Sequence, residues 1–209
     1  MSVNESITFQ KHLIPYIGES AAIFVEKETR GLIFHLKVTR ARDSKYGDYR
    51  PSVNGKPQRI TINGNLDKYS FIITFLHELA HLKAFNNYGR NIKPHGAEWE
   101  NTFSQYILKA IENEIFPKEI AETINWYYLI NFDFSNNSRS QILNSINKYL
   151  NIPLPTRLSS FPINSCVLLK NGMKIKIIER KRSRYLCKEL TNNKMYLVHK
   201  QAEVEKILQ

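Results

Sequence analysis

The sequence predicts an α+β chain, with a helix-rich body over residues 1–160 and a small basic β-rich unit over residues 161–209. Three observations predict it. Apolar residues recur at helical spacing in several long segments of the first part. Short runs rich in β-branched and aromatic residues interrupt those helices and then dominate the end of the chain. Between the two parts lies "NIPLPTRLSSFPINS", whose prolines mark a linker and a boundary near residue 160.

In order, "ESITFQKHLIPYI" (5–17) carries Ile7, Phe9, Leu13, Ile14 and Ile17 and predicts a helix, with Pro15 weakening its last turn. "GLIFHLKVTRA" predicts a strand over Leu32–Arg40. "RDSKYGDYRPSVNGKPQ" is turn chemistry, punctuated by Gly47, Pro51, Asn54-Gly55 and Pro57. "RITIN" (59–63) alternates as a short strand. A helix then starts near Leu66 or Asp67, with Asp67 as N-cap, and stops at Asn86, Asn87 and Gly89. The loop "GRNIKPHGAEW" leads into a helix that begins around His95–Ala97 and ends near Asn113. Two further helical segments, "FPKEIAETINWYYLINF" and "SRSQILNSINKYL", flank a turn at 135–138. "NWYYLINF", with Trp126, is expected to be the core face of its helix. Short strands follow residue 165, with Asn171-Gly172 as the best hairpin turn.

Composition narrows the function classes. Hydrophobic residues make up 42% and aromatic residues 11%, which excludes a disordered chain. No segment approaches the roughly 20 apolar residues needed to cross a bilayer. The N-terminus lacks the basic and apolar regions of a secretory signal. Cys166 and Cys187 are too few for a disulfide scaffold and are read as small buried residues. A cytoplasmic monomer without a membrane partner is therefore expected. The charge of +11 is uneven: residues 165–209 hold eleven basic and four acidic residues, against nineteen and fifteen before them. Such a basic end suits an acidic partner, and DNA is the candidate. Its "ERKRSRY" stretch, Glu179–Tyr185, suits either phosphate contact or an exposed charged hairpin.

The chemistry concentrates in "FLHELAHLKAF" (75–85). His77 and His81 are four apart, so on a helix they share a face and one nitrogen from each can reach a single ion. Glu78 lies about 100° round from His77, beside such an ion, where it can take a proton from water. The same two histidines could also be a hydrogen-bonded pair in a core. A catalytic zinc takes three protein ligands and leaves one position open. His95 and Glu98, in "KPHGAEWENTF", are the candidates for the third. His95 is preferred, after a loop in which Gly89 and Pro94 can reverse the chain, with Glu98 as its support. Nitrogen ligands also admit manganese, cobalt or nickel. For oxyanion stabilisation the candidates are Tyr46, Tyr49, Arg50 and Tyr88. His12, His35 and His199 have no partner at a useful spacing.

The run "ITINGNLDKYSFIITFLHELAHLKAFNNYGRNIKPHGAEWENTF" resembles the SprT-like zinc metallopeptidase family, the type that includes bacterial SprT and Spartan. The matching parts are the strand Ile60–Asn63, the His77–His81 motif, and His95-Gly96-Ala97-Glu98-Trp99. The resemblance covers about residues 5–115. It implies a minimal zincin-like fold, Zn2+ on His77, His81 and His95, and Glu78 as the catalytic base. It also implies that the 59–63 strand serves as a rail for an extended protein or peptide substrate, and, by likeness to Spartan, proteolysis of DNA-associated proteins. The four-cysteine ribbon of many family members cannot be built here, since Cys166 and Cys187 are single and His199 adds at most a third ligand. Two functions follow: a zinc-dependent metallopeptidase, or a non-proteolytic zinc-binding module that recruits nucleic acid or protein through its basic end.

Overall fold

The structure, a computed structural model, describes residues 3–42, 45–53 and 55–208, with side chains from residue 9 onward. Asp43, Ser44 and Asn54 of the 42–58 turn segment, and the side chain of Ile7, lie outside the described residues. Among the described residues the fold is α+β, with six α-helices and two sheets. The chain forms two compact units, Met1–Asn151 and Ile152–Gln209.

The first unit begins with α1 (Val3–Ile17) and α2 (Glu19–Thr29). Gly18 joins them at φ 79°, a left-handed conformation that glycine adopts without a Cβ clash. In α2, Ala21, Ala22, Phe24 and Val25 are buried on one face. A three-stranded sheet follows: β1 (His35–Thr39), β2 (Gly47–Arg50) and β3 (Arg59–Asn63), in the order β1-β3-β2. β1 runs parallel to β3 and β2 antiparallel to it.

β2 lies inside the segment whose residues are turn formers. Its four residues carry no apolar alternation, and its position comes from β3 instead. The Asn63 amide donates to the carbonyls of Arg42 and Lys45 at 3.1 and 3.0 Å, while Arg42 Nε donates to Asn63 Oδ1 at 2.7 Å. This clamp delivers the chain to Gly47. The expectation that residues 59–63 form a substrate rail is corrected here. β3 is the central strand, paired on both sides and buried from Ile60 to Asn63, so the free edges belong to β1 and β2, and β2 is the one beside Glu78.

α3 (Lys68–Tyr88) starts at Asp67, whose Oδ1 accepts from the amides of Tyr69 and Ser70, both at 3.0 Å. It ends at Gly89, at φ 78°. Twelve of its residues are buried, on nearly every side of the helix. α4 (Ala97–Glu112) and α5 (Lys118–Ile124) follow. α5 continues into a π-helical turn, Asn125–Ile130, and α6 (Asn136–Tyr149) completes the unit. The π turn corrects the expected core face of "NWYYLINF". Its wider i→i+5 winding, seen in Asn131 N–H donating to Trp126 O at 3.2 Å, turns Tyr128 inward. Trp126, Ile130 and Phe132 are left 55%, 57% and 65% exposed.

The second unit is an antiparallel sheet of five strands: β4 (Cys166–Leu169), β5 (Lys174–Arg180), β6 (Arg184–Glu189), β7 (Met195–His199) and β8 (Val204–Leu208). Their order is β7-β6-β5-β4-β8. Gly172, at φ 86°, makes the β4–β5 turn. Inward alternate residues, among them Val167, Leu169, Ile175, Ile177, Tyr185 and Cys187, form its core. Part of the proline-rich segment read as a linker packs here. Leu158 is fully buried, its amide donates to Ala202 O at 2.9 Å, and Arg157 bridges to Glu203. Cys187 is buried, with its thiol pushed up to about 11 by burial, whereas Cys166 is only half-buried.

Asp67→Ala removes two capping hydrogen bonds from the buried helix. It should cost about 1 kcal/mol of unfolding free energy in urea titration while leaving the fold intact.

Candidate metal centre

His77 and His81 share one face of α3, and their ring centroids lie 5.0 Å apart. His95 comes from the loop before α4. It holds φ 56°, an uncommon conformation for a residue with a side chain, and Gly96 after it is the α4 N-cap. Gly96 is needed for the close turn: a Cβ there would stand 2.9 Å from Lys93 Cβ and 3.1 Å from Lys93 O. The result is convergence. His95 Nε2 lies 3.0 Å from His81 Nε2 and 3.1 Å from His77 Nε2. Tetrahedral zinc with N ligands at about 2.0–2.1 Å needs N···N separations of about 3.3 Å, a few tenths of an ångström more. The three histidines can hold a metal ion.

The rings are fixed from behind. Trp99, buried on α4, lies 4.7, 5.3 and 4.5 Å from the ring centroids of His77, His81 and His95. Its Nε1 donates to the His77 carbonyl at 3.3 Å. Phe103 stacks against Trp99 at 5.0 Å, one turn further along α4. Tyr49 lies parallel to His81, with centroids 6.4 Å apart. Burial, then the neighbouring imidazoles, push His77 down to about 2 and His81 to about 4. His95 is lowered too, again chiefly by burial. At neutral pH all three are uncharged, the state in which an imidazole nitrogen offers its lone pair.

Glu78 is buried beside this cluster. Burial, then the Asp48 charge, raise its carboxyl to about 7, against the pull of the Tyr49 amide, Arg139 and Lys45. Gly47 is the reason β2 can pass so close. A Cβ there would lie 2.6 Å from Glu78 Oε1 and 2.7 Å from Thr74 Cγ2. Tyr46 O accepts from Asn63 N–H on the paired side, so Gly47 and Tyr49 turn their backbone groups to the free edge. The hydrogen bond from the Tyr49 amide to Glu78 agrees with that direction.

His77, Glu78 and His95 open onto a cavity of about 380 Å³. Of the four oxyanion candidates only Tyr46 lines it. Tyr49 donates its hydroxyl to Gln58 Oε1 at 2.6 Å, Arg50 pairs with Asp48 at 3.0 Å, and Tyr88 is exposed. Glu98 is not among the converging groups; it stands in the first turn of α4, with Thr102 Oγ1 bonded to its carbonyl. His12, His35 and His199 are exposed and stand apart from the cluster. The cavity also brings in Lys45, Tyr128 and Arg139, which no spacing in the sequence marks.

Replacing His77, His81 or His95 by alanine should each drop bound metal from about one ion per chain to a small fraction. Glu98→Gln should keep the full complement. Elemental analysis after dialysis against zinc checks both. No family model, curated protein or solved structure matches the chain, so its own side-chain geometry carries the functional conclusion.

Proposed function

We propose that the chain is a zinc-dependent metallopeptidase of the SprT-like, minimal zincin kind, cutting protein or peptide substrates with Glu78 as general base. The observation that carries this is a buried carboxylate next to three convergent, uncharged imidazoles, with Glu78, His77 and His95 opening onto one cavity. A site that only stores metal has no chemical need for Glu78, whose burial is costly.

When bound, zinc would polarise a substrate carbonyl and lower the pKa of water to about 7. Glu78, at about 7, is matched to accept a proton near neutral pH and to return it to the leaving amine nitrogen. The Tyr49 amide holds the carboxylate in place. The outward backbone groups of Gly47 offer an extended peptide a strand to pair with, alongside the site. Trp99 and Phe103 keep the imidazoles from turning away.

DNA-associated proteins are the proposed substrates, and the second unit supports this. Residues directly opposite in a sheet share a face. Lys176 pairs with Lys188, Lys206 with Leu168, Leu168 with Lys174, and Arg184 with His199. Together they make a cationic outer face, with Glu179 as the carboxylate near it. None of these five cations has a carboxylate partner among the described residues. This face also favours the second function, a non-proteolytic zinc module that recruits nucleic acid.

Glu78→Gln separates the two. It should retain zinc and lose cleavage of a DNA-bound protein by about 10²–10⁴-fold. Equal turnover by both proteins, or none by the wild type, would remove the peptidase. Lys176→Gln with Lys188→Gln should weaken binding of labelled DNA several-fold. It should also flatten the slope of log affinity against log salt by about 1.4–1.8, two phosphate contacts' worth. An unchanged slope in an anisotropy titration places the DNA contact elsewhere.

A further inference from the structure

We propose that the cavity beside the histidines takes a carboxylate-bearing residue of the substrate and that Arg139 is the group that selects it. This rests on the peptidase reading for its biological meaning, but not for its test.

Arg139 lies in the first turn of α6, the end of a helix where a cation is disfavoured. It lines the cavity, and its guanidinium carbon stands 4.7 Å from the centroid of the Tyr46 ring. That cation–π contact holds the guanidinium beside the ring without neutralising it. No carboxylate pairs with Arg139 among the described residues. The other cation on the cavity, Lys45, is already tied to Asp48 at 2.7 Å. Arg139 is therefore the cavity's uncommitted charge. Arg139 shares this cavity with His77, Glu78 and His95, so a group held by its guanidinium lies at the metal end.

The remaining wall is apolar: Ile73, Phe134, Ile142 and Leu143, with Trp99 and Phe103 toward the histidines. A volume of about 380 Å³ is at the small end for ligand clefts and has room for a long side chain with its neighbours or water. An apolar wall ending in a guanidinium fork matches an aliphatic stem ending in a carboxylate. With Glu78 on the same cavity, a monoanion is a better match than a dianionic phosphate. The carboxylate can come from an Asp or Glu side chain or from a chain terminus.

The test is binding to zinc-loaded Glu78→Gln protein, followed by fluorescence anisotropy. The probes are fluorescein-labelled alanine-based peptides, amidated at the C-terminus, with Glu or Gln scanned through each position, and one unsubstituted peptide with a free C-terminus. At one position Glu should bind about tenfold more tightly than Gln, or else the free terminus should gain that factor over the amide. The two results identify the source. Arg139→Gln should erase the difference, and Arg139→Glu should turn the preference toward Lys, with zinc content unchanged as the control for folding. Equal affinities for all acidic and amide forms overturn the proposal, as does a preference that survives Arg139→Gln. If Arg139→Gln slows wild-type cleavage of every peptide alike, Arg139 serves the transition state and the selectivity claim fails. Acidic preference in a chain that never cuts removes the peptidase and leaves the pocket standing.

Discussion

The Nε2 atoms of His77, His81 and His95 meet at 3.0 and 3.1 Å, and much of the first unit is arranged to keep them there. α3 fixes two of the rings by being buried on nearly every side, so it has little freedom to rotate. The third ring sits on a left-handed residue and is held by a glycine turn that tolerates no Cβ. Trp99 then touches all three rings. Each device is modest alone. Together they hold three lone pairs near one point before any ion arrives, so little reorganisation is left for binding.

Glu78 depends on the same enclosure. A carboxyl on the exposed side of a helix would titrate as an ordinary acid. Here the helix is covered by β2, which approaches so closely that only glycine fits at residue 47. The close approach removes water from Glu78 and brings the Tyr49 amide to it. The Asn63–Arg42 clamp, on the opposite side of β2, makes that approach reproducible. Sheet, helix and the ionisation of Glu78 are thus one packing problem.

The parts of this that the sequence revealed are those with local signals. Helical spacing marked His77, Glu78 and His81, and the Asp67 and Gly89 ends followed from cap chemistry. His95 was legible because glycine and proline in the loop allow the chain to reverse. What stayed hidden depends on tertiary pairing. The four residues from Gly47 to Arg50 form a strand only because β3 and Asn63 hold them, so turn residues conceal β2 as an edge strand. The sequence points Trp126 inward because a π turn has no signature in it and changes which residue faces the core. Arg139 comes from a helix beyond the stretch of resemblance, with no spacing relation to the histidines. Leu158 shows the same limit in the second unit, where prolines signalled a linker although the segment packs into the sheet.

X-ray absorption at the zinc edge of the zinc-loaded protein tests the centre most directly. Three imidazole nitrogens and one further light ligand, at about 2.0–2.1 Å, are expected from the convergence of His77, His81 and His95 with one side open to the cavity. Sulfur in the shell, fewer than three imidazoles, or zinc that stays six-coordinate with water would contradict it.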